Sequence, residues 1–213
     1  MRYVFDIETN GFLDECDTAH CIVLKDIDTN EIHKLNNKEA IKKLEEAELL
    51  IGHNIIKFDI PVLEKLFSAT FKAKIFDTIV ATRLLFSDIR ETDFARKDFP
   101  KDCIGRHSLK AWGNRIGKYK EQIGTDWKTF TPEMLDYCVQ DVEVTHSLWN
   151  VIHKKGYSAQ AMEWEHEVAQ IIFKQERYGF TFDKNKAQEL YTKLNSRRIE
   201  LAEELQTIFL PIT

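Results

Sequence analysis

The stretch Tyr3-Val4-Phe5-Asp6-Ile7-Glu8-Thr9 places two acids at the end of an apolar, aromatic and β-branched run. Runs of this kind predict a strand that is buried on both faces of a sheet. Because side chains alternate along a strand, Asp6 and Glu8 share one face of it. Two interpretations stay open here: a paired acidic site, or a strand that has ended and leaves both acids in water.

Strand and helix patterns follow this stretch along the chain. Short apolar runs predict four more strands, over 21–24, 32–35, 49–52 and 75–77. Helices are predicted over 38–47 with Asn37 as N-cap, 60–67, 78–86, 108–116, 131–155, 159–177 and 184–208. Residues 87–106 are polar and are expected to form an irregular surface loop. We therefore expect an α/β fold: a mixed five-stranded sheet flanked by helices, with a helical C-terminal extension.

The composition is that of an ordinary soluble globular protein. Of 213 residues, 43% are hydrophobic and 31% are charged, which excludes a disordered chain, a collagen-like chain and a disulfide miniprotein. The four cysteines form no CxxC pair, so we expect reduced, mostly buried thiols. Neither a signal-peptide core nor an apolar run of roughly 18 residues is present, and an intracellular protein away from membranes is expected.

The formal net charge of −5 is unevenly distributed. Residues 154–213 carry 9 basic and 9 acidic residues, so residues 1–153 carry all of the excess negative charge. This acidic balance argues against a protein that binds nucleic acid through bulk positive charge. It agrees equally with a solvated surface and with a carboxylate cluster that binds cations.

Two further acids lie near buried segments. Asp59 follows the apolar run 49–52 at a strand-to-helix junction, where by itself it predicts a helix N-cap. Asp141 lies four residues after Tyr137 on the long helix, so the two share a face, and alone it predicts a solvated acid. The apolar residues of that helix are expected on a different face: Cys138, Val142 and Trp149.

Together the four acids predict a metal site. Carboxylates without basic partners repel one another, and oxygen ligands suit Mg²⁺ or Mn²⁺. Two such ions would clamp the attacking and leaving oxygens of a phosphoryl group, and would offset much of the negative charge of the chain. Phosphate-loop, dinucleotide-binding, serine-hydrolase and zinc-protease motifs are absent from the sequence.

Three segments resemble the motifs of the DEDD 3′–5′ exonucleases: Asp6-Ile7-Glu8-Thr9, Asn54…Phe58-Asp59 and Tyr137-Cys138-Val139-Gln140-Asp141. The tyrosine four residues before the last acid matches the tyrosine subclass; the histidine subclass would have His where this chain has Asp136. Segments 107–113 and 174–180 resemble the family A replicative DNA polymerases of short-tailed phages. The resemblance implies a ribonuclease H-like (DnaQ-like) fold. It also implies an exonuclease domain over 1–155 and, over 156–213, the lead-in to a polymerase domain that this chain does not include.

The resemblance also implies roles for single residues. Asp6 would bridge two ions, Glu8 and Asp141 would complete the first ion's site, Asp59 would reach the second ion, and Tyr137 would orient the attacking water. The candidate contacts to the substrate strand are Thr9, Asn10, Phe12, Asn54, Lys57 and His107. Simpler interpretations stay open for some of these positions: core packing for Phe58, a solvated surface for the lysines, and a hydrogen bond inside the fold for His107.

The implied function is a 3′–5′ exodeoxyribonuclease that proofreads during DNA replication, with two Mg²⁺ or Mn²⁺ ions as cofactors. Its expected partners are the 3′ end of single-stranded or frayed DNA and a polymerase subunit or domain. Its expected location is the cytoplasm of a phage host or bacterium, and a monomer is favoured. Two alternatives remain: an exoribonuclease of the same superfamily, because no motif reads the 2′-hydroxyl group, and a non-catalytic docking subunit for a polymerase.

Overall fold

One mixed sheet of five strands lies at the centre of the fold, in the order β3-β2-β1-β4-β5. The computed structural model describes residues 1–118, 124 and 126–209. The strands are β1 (Arg2–Thr9), β2 (Ala19–Asp26), β3 (Ile32–Leu35), β4 (Leu49–Gly52) and β5 (Lys74–Asp77). The β1 strand pairs antiparallel with β2 and parallel with β4, and β4 pairs parallel with β5. The predicted five-stranded mixed sheet is confirmed.

Helices connect and flank the strands. They are α1 (Asn37–Glu45), α2 (Asp59–Phe67), α3 (Thr78–Leu85), α4 (Ile89–Phe94), a short 3₁₀ helix (Lys101–Cys103), α5 (Leu109–Ile116), α6 (Pro132–Lys155), α7 (Ala159–Tyr178) and α8 (Lys184–Ile208). None of these described helices is both long and apolar enough to cross a bilayer.

Two local predictions were wrong. The N-cap of α1 is Asn36, whose side chain accepts the Glu39 N–H, because the amide of the predicted cap, Asn37, donates to the Ala19 carbonyl instead. The segment 87–106, predicted as an irregular loop, contains α4 and the 3₁₀ helix.

A buried ion pair organises the segment 87–106. Asp93 on α4 accepts the Gly105 N–H at 2.9 Å and two hydrogen bonds from the Arg115 guanidinium, at 3.0 and 2.7 Å. The side chains are 0% and 2% exposed, respectively. A bidentate pair with further hydrogen bonds satisfies two charges that would be costly to bury alone. The polar residues of this segment therefore conceal a folded structure.

The alternation along β1 divides the core into two layers. Tyr3, Phe5 and Ile7 pack in a cluster with apolar residues of α1 and α2. Val4 packs on the opposite face, in a cluster with Trp112 of α5 and other apolar residues of α3 and α6. Asp6 and Glu8 follow the same alternation as Val4. The strand therefore directs both acids toward α6.

The chain forms two compact units, Met1–Lys174 and Gln175–Thr213. The first unit contains the sheet and most of α7, whose Met162 and His166 are buried. The expected boundary at residue 155 thus precedes this division, because buried side chains tie the first part of α7 to the sheet. The second unit contains the end of α7 and α8, which has no buried residue among those described. The last four residues of the expected extension, 210–213, lie outside the described residues.

Candidate active site

The two acids of β1 lie at the floor of a cavity of about 520 Å³. Both side chains are half-buried, and carboxylate oxygens of Asp6 and Glu8 lie within 4.8 Å of each other and of the Cys138 sulfur. Tyr137 and Asp141 of α6 line the same cavity. The interpretation of a strand that ends in water is therefore not what the structure shows for this pair.

Asp59 is hydrogen-bonded to the end of the same strand. It is the first residue of α2, is 3% exposed, and its carboxylate accepts the Ile7 N–H. Phe58, not Asp59, occupies the N-cap position, so the simple capping interpretation of Asp59 was wrong. Burial raises the pKa of Asp59 to about 8, and the negative charges of Asp77 and Asp141 add to the increase.

The α6 helix places a thiol and an acid on the same side. The Cys138 Sγ lies 3.3 Å from the backbone oxygen of Asp6 and 3.6 Å from its Oδ2. Asp141 is 5% exposed, so its interpretation as a solvated acid was wrong; it lines the cavity together with Tyr137, four residues earlier on the helix. Burial raises the pKa of the Cys138 thiol well above its ordinary value. The protonated thiol therefore acts as a hydrogen-bond donor to Asp6.

This donor set fits a hard divalent cation. Asp6, Glu8, Asp59 and Asp141 supply oxygen atoms only, and Mg²⁺ and Mn²⁺ prefer oxygen ligands. Burial and, to a smaller extent, the charges of Asp77 and Asp141 raise the pKa of Asp59, and bound cations would favour its ionised form. The nearby sulfur remains protonated and does not compete as a thiolate ligand.

The cavity contains two of the predicted substrate residues. Thr9 and Phe12 line it, with Phe12 80% exposed at the rim. Asn10 does not line it; its side chain bonds to Asp17 and to the Thr18 N–H, and so fixes the turn between β1 and β2. Phe58 lines the cavity and packs against the core, so the core-packing interpretation of that residue is confirmed.

The other three predicted contacts lie elsewhere. Asn54 and Lys57 line a separate cavity of about 150 Å³ that also borders α3 and α7. His107 is half-buried, with its ring centroid 6.3 Å from that of Trp112, and burial lowers its pKa. The structure thus does not bring these residues to the four acids, and His107 agrees with the alternative of a role inside the fold.

Trp127 is the residue that sequence reasoning missed. Its ring lies 5.9 Å from that of Tyr137 in an edge-to-face arrangement, and it lines the cavity. Its backbone oxygen accepts a hydrogen bond from His20 Nε2 at 2.8 Å, which anchors it to β2. It occupies a polar segment between helices, where no periodicity marks an aromatic residue as functional.

Sequence comparison now adds to this geometry. The model of the DNA polymerase A exonuclease domain, described as "3′-5′ exonuclease", matches residues 13–156. The chain belongs to this 3′–5′ exonuclease family. The DNA-directed DNA polymerases of Enterobacteria phage T3 and Escherichia phage T7 are each 32% identical to the exonuclease chain over 259 aligned positions, covering 97% of it. The chain spans 37% of the length of each of these relatives.

Solved structures share the fold of this exonuclease. Brucella melitensis NrnC bound to pGG matches with a TM-score of 0.55 and 20% identity, covering 81% of this chain and 79% of that one. Escherichia coli RNase D, an exoribonuclease, matches with a TM-score of 0.53 and 14% identity, covering 82% of this chain and 45% of that one. The predicted exonuclease family and ribonuclease H-like fold are confirmed. The family match starts after β1, so the assignment of Asp6 and Glu8 rests on their geometry and motif.

Proposed function

We propose that this exonuclease removes 3′-terminal nucleotides from single-stranded or frayed DNA as 5′-monophosphates, and that it proofreads for a DNA polymerase. The observation that carries the proposal is the convergence of Asp6, Glu8, Asp59, Tyr137 and Asp141 from three separate elements at one strand end. The similarity to phage DNA polymerases supports DNA as the substrate. A cavity of about 520 Å³ is of the size that accommodates one small ligand, here a terminal nucleotide.

The four acids are proposed to hold two Mg²⁺ or Mn²⁺ ions. When bound, such ions stabilise charge on the phosphate and lower the pKa of the attacking water. The Tyr137 hydroxyl is both a donor and an acceptor at neutral pH, which suits it to orient that water toward the phosphorus. The 3′ oxygen of the penultimate nucleotide then leaves, and the terminal nucleotide departs with its 5′-phosphate.

Aromatic side chains are proposed to hold the terminal nucleotide. Phe12 and Trp127 both line the cavity and offer apolar faces near the acids. Stacking of a base on an aromatic ring contributes about 1–3 kcal/mol and tolerates any base, as removal of mismatched nucleotides requires. Thr9 donates its hydroxyl hydrogen to the Gly11 carbonyl at 2.8 Å and so shapes the turn that carries Phe12.

The double variant Asp6→Ala/Glu8→Ala tests the metal site. We expect it to fold normally and to lose the Mg²⁺-dependent degradation of a single-stranded oligonucleotide. Asp136→Ala is the matched control, because Asp136 is an acid on the same helix as Tyr137 but is 79% exposed and pairs with Lys34. Retention of activity in the double variant, or equal loss in the control, would contradict the assignment.

A second candidate function is degradation of RNA. The observation that favours it is the shared fold with an exoribonuclease, RNase D, and with a nuclease bound to pGG. Matched DNA and RNA oligonucleotides of one sequence, with an EDTA control, decide between the two substrates. Faster degradation of the DNA supports proofreading. Faster degradation of the RNA supports the second candidate, and no hydrolysis of either by the folded protein with Mn²⁺ supports the docking subunit.

The proposed association with a polymerase rests on the length of the relatives. This chain matches only 37% of the length of each relative. The segment 156–213 is proposed as the lead-in to a polymerase domain, either in one longer chain or in a partner subunit. The bound cofactors would be Mg²⁺ or Mn²⁺ in either case.

A further inference from the structure

A further buried acid, Asp77, is not among the four proposed ligands. It ends β5, is 1% exposed, and does not line the cavity of about 520 Å³ that Asp6 and Glu8 line. Its carboxylate accepts three backbone N–H groups: from Asn54 at 2.8 Å, from Ile56 at 3.1 Å and from Ile79 at 3.0 Å. Two of these donors belong to the connection between β4 and α2. One side chain thus fixes a turn of the backbone that begins at a neighbouring strand.

That connection has an unusual backbone conformation. Asn54 has a φ of 70°, in the left-handed region that non-glycine residues rarely adopt. Gly52 precedes it, and a Cβ there would lie 2.1 Å from Ile55 Cγ2 and 3.1 Å from the Phe5 carbonyl oxygen. A conformation of this kind persists where the surroundings hold it in place. The carboxylate of Asp77 supplies two of the hydrogen bonds that hold it.

The connection ends at Asp59, which starts α2. Asp59 must stay close to the end of β1, where its carboxylate accepts the Ile7 N–H. The Asp77 carboxylate holds the Ile56 N–H, and Ile56 lies three residues before Asp59 on the same connection. The tasks of Asp59 and Asp77 differ, because the oxygens of Asp77 are occupied by backbone donors.

A second contact links Asp77 to α7. The Asp77 N–H donates to His166 Nε2 at 2.7 Å, and His166 Nδ1 lies 2.7 Å from the Met162 carbonyl oxygen. A carbonyl oxygen only accepts, so Nδ1 carries the proton and Nε2 is a lone-pair acceptor. The ring is 5% exposed and packs 5.1 Å from the ring of Phe76. These contacts therefore hold the His166 ring in one orientation.

We propose that Asp77 is a positioning residue for the metal site. By fixing the β4–α2 connection, Asp77 orients Asp59 toward Asp6 and Glu8, and His166 of α7 in turn holds Asp77 in place. The proposal rests on the proposed function, because it takes Asp59 as a metal ligand. Residues that orient metal ligands typically change metal affinity or activity by about 10–100-fold when they are replaced. A residue that supports only the fold changes the unfolding free energy but leaves metal affinity in the folded protein unaltered.

The Asp77→Asn variant is the first test. It keeps the size of the side chain but replaces one acceptor oxygen with an NH₂ group, which cannot accept a backbone N–H. We expect Mn²⁺ binding to weaken by about 10–100-fold, measured by the paramagnetic resonance signal of free Mn²⁺. The half-saturating Mg²⁺ concentration for hydrolysis should rise in parallel, with the KM for a single-stranded oligonucleotide changed by less than about twofold because the aromatic walls of the cavity are untouched.

Asp26→Asn is the matched control. Asp26 is also a buried acid, and its carboxylate accepts two backbone N–H groups, from Asp28 and Thr29. It lies opposite Tyr3, at the other end of β1 from Glu8. We expect this variant to lose stability but to bind Mn²⁺ as the wild type does. Equal Mn²⁺ affinity in all three folded proteins would overturn the positioning role.

A pair of His166 variants keeps the test decisive if Asp77→Asn does not fold. His166→Gln offers an oxygen near the position of Nε2, whereas His166→Leu removes the acceptor. We expect Mn²⁺ to bind more weakly to His166→Leu and with nearly wild-type affinity to His166→Gln. Equal Mn²⁺ affinities of the two variants would overturn the role of His166. If Asp77→Asn does not fold, the same result would also overturn the role of Asp77. A wild-type protein that neither binds Mn²⁺ nor hydrolyses DNA would overturn the proposed function itself, which distinguishes the two failures.

Discussion

Replacement of Asp59 by asparagine should stabilise the metal-free protein relative to the wild type. This difference in stability should grow as the pH rises. Asp59 is 3% exposed and lies near the negative charges of Asp77 and Asp141. Folding therefore favours the protonated form of the Asp59 carboxyl group. The stability gained in this way is fully present below the pKa of Asp59 in the unfolded chain. It is lost as the pH rises through the pKa of Asp59 in the folded protein. Asparagine has nearly the same shape, can still accept the Ile7 N–H, and has no proton to lose.

The magnitude follows from the two pKa values. The pKa of Asp59 is about 8 in the folded protein, against an ordinary value of 3.8. Between these values the unfolded chain is ionised and the folded chain retains the proton, so the unfolding free energy falls by about 1.4 kcal/mol per pH unit. From about pH 6.0 to about pH 7.5, the wild type should lose about 2 kcal/mol that Asp59→Asn retains.

Urea unfolding in EDTA at these two pH values measures the effect. The difference in unfolding free energy between Asp59→Asn and wild type should be about 2 kcal/mol larger at the higher pH. Because all other titrating groups are common to both proteins, their contributions cancel in this difference. Asp136→Asn, at a site 79% exposed, should follow the wild type at both pH values. Parallel wild-type and Asp59→Asn profiles would refute the reasoning. Addition of Mg²⁺ should stabilise the wild type more than Asp59→Asn, because the ion binds the ionised carboxylates.

Four further outcomes are expected. Trp127→Ala should raise the KM for a single-stranded oligonucleotide roughly tenfold with a smaller change in kcat, and an unchanged KM would remove Trp127 from the nucleotide site. Tyr137→Phe should lower kcat by about 100-fold at unaltered KM, since the ring remains but the hydroxyl group is lost; full activity would contradict its role. Gly52→Ala should lower the unfolding free energy by about 1–3 kcal/mol, and a neutral effect in urea unfolding would show that the turn relaxes freely. Asp93→Asn leaves the buried Arg115 charge poorly compensated and should cost about 3–5 kcal/mol in the same measurement, with the specific activity of the folded protein retained; loss of activity would show that the pair reaches the site.

Local sequence patterns were sufficient to predict the five-stranded sheet and the exonuclease family. The alternation of β1 predicts a strand buried on both faces, and the burial of Tyr3, Val4, Phe5 and Ile7 confirms it. The motif acids could be found because each directly precedes or follows an apolar run. That these acids belong to one site was predicted from the family resemblance, whereas the strand order β3-β2-β1-β4-β5 comes from the structure.

Tertiary contacts decided what the patterns missed. Asn36 and Asn37 are adjacent and equally suited to cap α1, and the choice depends on a hydrogen bond from Asn37 to Ala19. The polar segment 87–106 folds because Asp93 meets Arg115, which is 22 residues away in sequence. Neither partner carries a local signal for the other.

Two of the predicted substrate contacts lie away from the cavity of the acids for a related reason. Asn54 and Lys57 lie within or beside the second motif, yet the connection between β4 and α2 turns them toward another cavity. Trp127 lies ten residues before Tyr137 in a stretch without periodicity, yet the two rings meet in an edge-to-face contact. Proximity to a motif in sequence was thus a poor guide to proximity in space.

The separation of the acids along the chain has a consequence for biosynthesis. The contact between Asp6 and Cys138 joins residues that are 132 positions apart in sequence. The site on β1 is therefore completed only by α6, which lies near the end of the first compact unit. Chains emerge from the ribosome N-terminus first, and every strand of the sheet is made before α6. During that interval the nascent chain holds Asp6, Glu8 and Asp59 but lacks Tyr137 and Asp141. We therefore expect a nascent chain to show no exonuclease activity until α6 has been translated.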